Sequence, residues 1–232
     1  VFHYLRTEKH SDGWFYNELL EMPAMMKLLG NVKGKEILDF GCGSGIYCKL
    51  LTKKGALVKG FDLSPKMIKI ARKENPELDL RVGSGYHIPF KEKFDIVQAS
   101  LVLPYFNDWD KVFKQVSNVL KDKEIFIFSI HNPVVECARK VVVKGKKLRV
   151  FDDYFTERKI YDSWTDLVGK SIRMPKHHKT YETIFKTILR NNFQIVDYRD
   201  CFPLKKAKKL FPGDYAKFSK IAYFCVWKVR KK

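Results

Sequence analysis

Residues 36–45 read Glu-Ile-Leu-Asp-Phe-Gly-Cys-Gly-Ser-Gly, and no other stretch limits the fold as tightly. A short apolar run carrying one acid, Asp39, breaks into three glycines at alternate positions, Gly41, Gly43 and Gly45. Glycine reaches backbone conformations that a Cβ forbids, and it lets a ligand approach the main chain. A strand that feeds such a turn and opens a helix is the cradle for a nucleotide-like cofactor in an α/β sheet.

The stretch after it repeats that rhythm up to residue 130. Expected strands are 36–40, 57–61, 78–82, 94–99 and 124–130, with amphipathic helices over 46–54, 65–75 and 111–120. Gly55 stops the first helix. Ser64 and Pro65 suit the cap and first residue of the second. Strands alternating with helices imply right-handed crossovers and a parallel sheet. The run Glu-Ile-Phe-Ile-Phe-Ser-Ile at 124–130 is apolar at nearly every residue, as a strand covered on both faces requires. Beyond it, 131–179 shows no sustained period. A helix at 180–191 and strands at 193–200 and 222–229 follow. Residues 201–221 are too polar and proline-interrupted to read as helix. The expected fold is thus α/β: a doubly wound, mostly parallel, seven-stranded Rossmann-like sheet. Residues 34–232 form one domain with an insertion at 131–179 after strand 5, and 1–33 pack across it.

Asp62 closes the second strand 21 residues after Gly41. An acid there accepts hydrogen bonds from the ribose of an adenosine-type cofactor. Asp39 narrows the choice. A carboxylate before the loop repels a pyrophosphate but favours the ammonium and sulfonium of S-adenosylmethionine. The loop is GxGxG rather than the dinucleotide GxGxxG, and no GK[ST] of a P-loop follows.

Together these segments resemble class I S-adenosylmethionine-dependent methyltransferases, closest to the small-molecule and quinone-type group. The likeness rests on LDFGCGSG, then GFDLSPKMI at 60–68, GSGYHIPF at 83–90 and FDIVQASLVLPYF at 94–106. YNELLEMPAM at 16–25 is similar to the family's N-terminal helix, and 177–198 to its late helix and sixth strand. The resemblance implies a transferase that binds S-adenosylmethionine and releases S-adenosylhomocysteine. It places the methionine end at Asp39, Gly41, Cys42, Gly43 and Gly45, the ribose at Asp62, and Leu63 and Met67 beside the adenine. Ser84 and Gly85 stand where relatives carry an acid for the adenine amine, Ser100 follows the fourth strand near the methionine moiety, and Tyr16 closes over the cofactor. Pro104 replaces a histidine common in relatives, so that residue's role is absent here.

His131 follows the fifth strand at the edge where open α/β sheets bind ligands, and is the candidate base toward an acceptor. His87, His177 and His178 are weaker candidates. The last two are adjacent and would not share one face, which argues against a metal pair, and no metal site is expected. Trp14, Phe15, Tyr105, Phe106 and Trp164 are candidates for a pocket wall, with ordinary packing as the alternative. The five cysteines, odd in number and without a CxxC pair, suggest reduced thiols in a cytoplasmic protein. Neither a signal-peptide layout nor an apolar run of membrane length is read, so no membrane partner is expected.

The function expected is methyl transfer to a small-molecule acceptor by SN2 displacement, driven by alignment and water exclusion. Charge supports one alternative. Residues 1–120 hold 18 basic and 14 acidic side chains, while 121–232 hold 27 and 12. That basic half suits an RNA methyltransferase. Yet Asn132-Pro133-Val134-Val135 lacks the second proline and the aromatic of a target-base NPPY motif, and follows the fifth strand rather than the fourth. The other alternative is a non-catalytic module that binds the cofactor.

Overall fold

The structure is a computed structural model that describes residues 14–165 and 171–232. The expected N-terminal lid therefore lies outside the described residues over 1–13, as do residues 166–170 of the expected insertion.

A π-helical stretch, Phe15–Glu21, runs into α1 (Met22–Leu29). Then follow β1 (Glu36–Phe40), α2 (Ile46–Lys53), β2 (Leu57–Asp62), α3 (Pro65–Glu74), β3 (Asp79–Val82), β4 (Phe94–Ser100), α4 (Trp109–Val119) and β5 (Leu120–His131). Capping fixes the helix starts. Ser64 accepts from the Met67 amide at 3.3 Å ahead of Pro65, and Asp108 accepts from the Lys111 amide at 3.1 Å. With β10 (Phe193–Asp200) and β11 (Phe224–Lys231), the strands order as β10-β11-β5-β4-β1-β2-β3. Only β11 runs antiparallel, against both β5 and β10. The sheet is thus seven-stranded, mostly parallel and doubly wound. The chain reverses its direction of growth between β1 and β4, which opens a crevice at their carboxyl ends.

Two apolar layers cover the sheet. Ile37, Ile127 and Val226 face the side holding α1, α2 and α3. Leu38, Phe126, Phe128 and Trp227 face the side holding α4 and α6 (Tyr181–Arg190). Strand side chains alternate faces, so a strand buried twice must be apolar at nearly every position, as β5 is. On the α4 side, Phe113 meets Phe126 at 5.3 Å and Phe193 at 5.6 Å, ring to ring.

Two segments differ from expectation. The supposedly patternless 131–179 contains a short α5 (Pro133–Glu136) and two antiparallel hairpins, β6 (Ala138–Val143) with β7 (Lys146–Phe151), and β8 (Lys159–Thr165) with β9 (Ser171–His177). The polar, proline-containing 201–221 holds α7 (Ala207–Leu210) and α8 (Pro212–Phe218). Pro212 sits in the first turn of α8, where a missing N–H costs nothing. Strand β5 also begins at Leu120, four residues earlier than the apolar run suggests.

Candidate active site

The glycine loop between β1 and α2 turns on left-handed residues. Gly41, Gly43 and Gly45 have φ of 73°, 55° and 80°. They serve different ends. A Cβ on Gly41 would stand 2.5 Å from Val102 Cγ2, and one on Gly45 would stand 2.6 Å from Asn75 Nδ2. Both glycines therefore let neighbouring elements close on the loop. A Cβ on Gly43 would meet only the end of Met67 at 3.5 Å, so this glycine alone leaves room beside the loop.

Asp62 ties that loop to the next crossover. Its Oδ2 accepts from the Gly43 amide at 3.0 Å and its Oδ1 from the Ser64 amide at 2.8 Å. A carboxylate has about four lone-pair sites, so one on each oxygen is left for a pair of vicinal hydroxyls. Leu63 beside it is 74% exposed, and Met67 lies half-buried one turn on. An acid with spare acceptors, an open glycine and a bare apolar side chain match the ribose and adenine of the cofactor that the sequence implies.

The acid at Asp39 is buried at the end of β1. It is 2% exposed, receives the Gln98 amide, and receives the Cys48 thiol at 3.1 Å. Cys42 turns its side chain beneath the loop, where Gly60 leaves it space. Burial and the charges of Asp39 and Asp62 outweigh its bond with Cys48 and push the Cys42 thiol up, so it is no thiolate. Its backbone is engaged within the fold as well: the amide donates to the Phe61 carbonyl and the carbonyl accepts from the Gly45 amide, each at 2.9 Å. Gly85 is buried, with Phe40 Cζ 2.3 Å from where a Cβ would stand, so packing accounts for it. Ser84 bends its own turn by accepting from the Tyr86 amide at 3.2 Å.

At the ends of β4 and β5 lies a residue that the sequence reading passed over. Glu21 is 0% exposed, yet Ser100 donates to its Oε1 at 3.0 Å, Ser129 to the same oxygen at 2.5 Å and Tyr47 to its Oε2 at 2.9 Å. One carboxylate thus fastens the N-terminal helix to α2, β4 and β5. Directly after Ser100, Leu101 has φ of 54°, a conformation that side chains rarely adopt. Its amide points to Ser129 Oγ at 3.0 Å.

His131 opens on a separate cavity of about 350 Å³ at the carboxyl end of β5. Tyr16, Tyr223, Arg149 and Lys176 share its lining. Tyr16 therefore stands with the candidate base, its ring 5.5 Å from Tyr223, rather than over the glycine loop. Burial, with the charge of Lys176 adding to it, holds the His131 imidazole well below its ordinary value, so it is neutral at pH 7.

Behind this wall, Glu136 receives Lys176 Nζ at 3.0 Å and His178 Nδ1 at 3.1 Å, with all three side chains almost fully buried. His178 Nε2 donates to the Tyr154 carbonyl at 2.8 Å. Desolvation opposes the charge on His178, but these two acceptors prevail and its pKa is raised. The ring is committed to structure, unlike a shuttling base. His87 is exposed on the Ser84 turn, and His177 lies half-buried at the end of β9.

Of the aromatic candidates, Phe15 is wholly core, Trp14 packs on Phe211 at 6.0 Å and Phe106 on Phe40 at 5.7 Å. Tyr105 is exposed, and the side chain of Trp164 lies outside the described residues. No helix among the described residues is long and apolar enough to cross a membrane.

Comparison with known proteins accords with this geometry. A family model described as a methyltransferase domain matches residues 38–128. An uncharacterized protein of Haemophilus influenzae is 30% identical over 195 residues, covering 77% of this chain and 75% of its own. A ubiquinone biosynthesis O-methyltransferase of Pelagibacter ubique is 32% identical over 114 residues, and the match spans 47% of this chain and 46% of that relative. Among solved structures, an S-adenosylmethionine dependent methyltransferase from Mesorhizobium loti superposes with a TM-score of 0.78 at 27% identity, covering 91% of this chain and 97% of its own.

Proposed function

The chain belongs to the class I S-adenosylmethionine-dependent methyltransferases, and we propose that it methylates a small molecule held in the His131 cavity. The supporting observation is that cavity itself. Its volume of about 350 Å³ is on the scale of a small ligand. It lies at the sheet edge that also carries the glycine loop, and it is walled by the hairpins and the N-terminal helix. We read those elements, 131–179 with 1–33, as the part of the chain that selects the acceptor.

When bound, S-adenosylmethionine supplies an already electrophilic methyl group, so the protein's work is alignment and exclusion of water. Asp62 takes the ribose hydroxyls on its two remaining acceptor sites. Leu63 and Met67 cover the adenine, and the loop amides and Ser100 border the methionine end. Glu21 holds Ser100 and the N-terminal helix in one arrangement. His131, neutral at pH 7, accepts the proton that an acceptor hydroxyl or amine sheds during SN2 transfer.

The ubiquinone enzymes are O-methyltransferases by name, which makes an oxygen nucleophile the first to test here, although this chain spans about half of their length. The experiment incubates the protein and methyl-labelled cofactor with a cell extract divided into metabolite and RNA fractions. Label is expected in the metabolites. Label confined to RNA would move the reading to an RNA methyltransferase, and label in neither fraction would leave a cofactor-binding module.

A further inference from the structure

We infer that the protein docks on the surface of an anionic phospholipid bilayer, through the outer face of the β6–β7 hairpin and the lysine turn at 205–209. This is attachment at the surface, which needs no spanning helix. It stands independently of the reading of the acceptor site.

Charge selects the partner. Residues 138–151 include six basic residues and no acid, and residues 201–213 include four lysines and no acid. Lys205, Lys206, Lys208 and Lys209 are all exposed, and none makes an ion pair among the described residues. Lys144 at the hairpin tip is exposed and equally without an acidic partner among them. Arg139 differs, because Asp152 holds it. The lysine turn is firmly built. Pro203 and Ala207 are buried, and the Leu204 amide donates to the Leu19 carbonyl at 2.8 Å. With Ala207 inward, helical spacing turns the four lysines around it outward. Such a cluster on a fixed turn attracts the headgroups of anionic lipids.

Apolar exposure distinguishes a bilayer from RNA. In the hairpin register Val141 pairs with Leu148 and Arg139 with Val150, so Val141, Val143, Leu148 and Val150 share one face. Ala138 and Arg149 belong to the opposite face and line the His131 cavity, so the aliphatic face turns away from the body. Val143, Leu148 and Val150 are exposed there. Beside the lysines, Phe202 is 59% exposed and Leu210 39%. The two segments adjoin one another. The Phe202 ring lies 6.3 Å from that of Tyr215 in α8, and Lys217 of α8 lines the same cavity as Arg149 of β7. Aliphatic side chains gain little from a chain of phosphates and sugars. At a bilayer they bury between headgroups while the lysines meet the lipid phosphates. A second copy is a poor cover, because two such basic faces repel.

The test is flotation of the protein with vesicles of equal parts phosphatidylcholine and phosphatidylglycerol, beside vesicles of phosphatidylcholine alone and a tRNA gel shift. Of the two vesicles, only the anionic one is expected to bind, and less as salt rises. The combined variant Lys205→Gln, Lys206→Gln, Lys208→Gln and Lys209→Gln should lower the partition coefficient at least about tenfold. Val143→Ser with Leu148→Ser should lower it about fivefold or more and leave tRNA retention as it is. Removing the same charge from other exposed positions, by Lys53→Gln, Lys54→Gln, Lys73→Gln and Lys91→Gln, should leave it nearly unchanged. Equal melting temperatures verify that the variants fold. No binding to the anionic vesicles, an equal loss in the charge control, or an apolar double variant that binds like the wild type would overturn the inference. Retention of tRNA without vesicle binding would also overturn it and assign the lysines to RNA. So would a dimer in light scattering that Val143→Ser with Leu148→Ser dissolves, because the hairpin would then be covered by a second copy.

Discussion

At the scale of single residues, the site depends on a few positions whose chemistry admits no exchange. Gly41 combines a φ of 73° with Val102 standing where a Cβ would go. Gly41→Ala should therefore cost about 1–3 kcal/mol in denaturant unfolding, because strain and crowding act together. Glu21 collects three hydroxyl donors in a dry place, and hydrogen bonds to a charged group are worth about 1.5–3 kcal/mol each. Glu21→Gln should lower the melting temperature and raise the KM for the cofactor, since the Gln amide nitrogen cannot accept. His131→Gln should reduce kcat about 100-fold or more while leaving cofactor affinity intact in calorimetry, as expected for loss of a proton acceptor. Asp62 and the glycines were legible as one local unit, because a strand that breaks into a glycine turn and a second strand that ends on an acid mark two adjoining strand ends, which the Gly43 amide and Asp62 join at 3.0 Å. Glu21 was not. A lone acid in Leu-Leu-Glu-Met looks like a helix surface residue, and only the fold brings Tyr47, Ser100 and Ser129 to it.

At the scale of elements, the βα repeats were legible because burial on one or two faces dictates their periods. The hairpins were not, because β6 and β7 bury little. Val142, Val143, Leu148 and Val150 are exposed, so the sequence carries no clean alternation of apolar and polar residues. The turn signal was present nonetheless. Lys144 and Gly145 have φ of 48° and 72°, as the two central residues of a tight hairpin require. The hairpins are anchored through Glu136, Lys176 and His178, and this anchor makes them pH-dependent. The pKa of His178 is raised in the fold, so its stabilisation is complete below the unfolded value near 6.5 and is lost as pH rises through the folded value. That of His131 is lowered, so its contribution runs the other way and fades as pH falls below about 6.5. Hydrogen exchange of 138–165 and 171–177 should accelerate as pH rises through that raised folded value, after correction for intrinsic rates. In Glu136→Gln that pH dependence should flatten.

At the scale of the whole molecule, one twisted sheet with two apolar layers sets the crevice, and charge is laid over it. Phe113 joins α4 to the sheet through three aromatic neighbours, and Phe113→Ala should cost about 3–5 kcal/mol in unfolding free energy. The net charge of +19 predicts that RNA will be retained at low salt and released steeply between about 50 and 200 mM. Such binding needs no methyl transfer to RNA. The basic half of the chain was legible in composition alone. Its meaning was not, because only the fold separates the cations that converge on a cavity from those that face solvent. The central claim is that the carboxyl edge of β1 and β2 holds the cofactor through Asp62. Calorimetric titration of S-adenosylhomocysteine into the wild type and Asp62→Ala tests it most directly. The account predicts that affinity falls at least about tenfold, the loss of roughly one charge-assisted hydrogen bond. Equal affinity in the two proteins, with Asp62→Ala folded by circular dichroism, would contradict it.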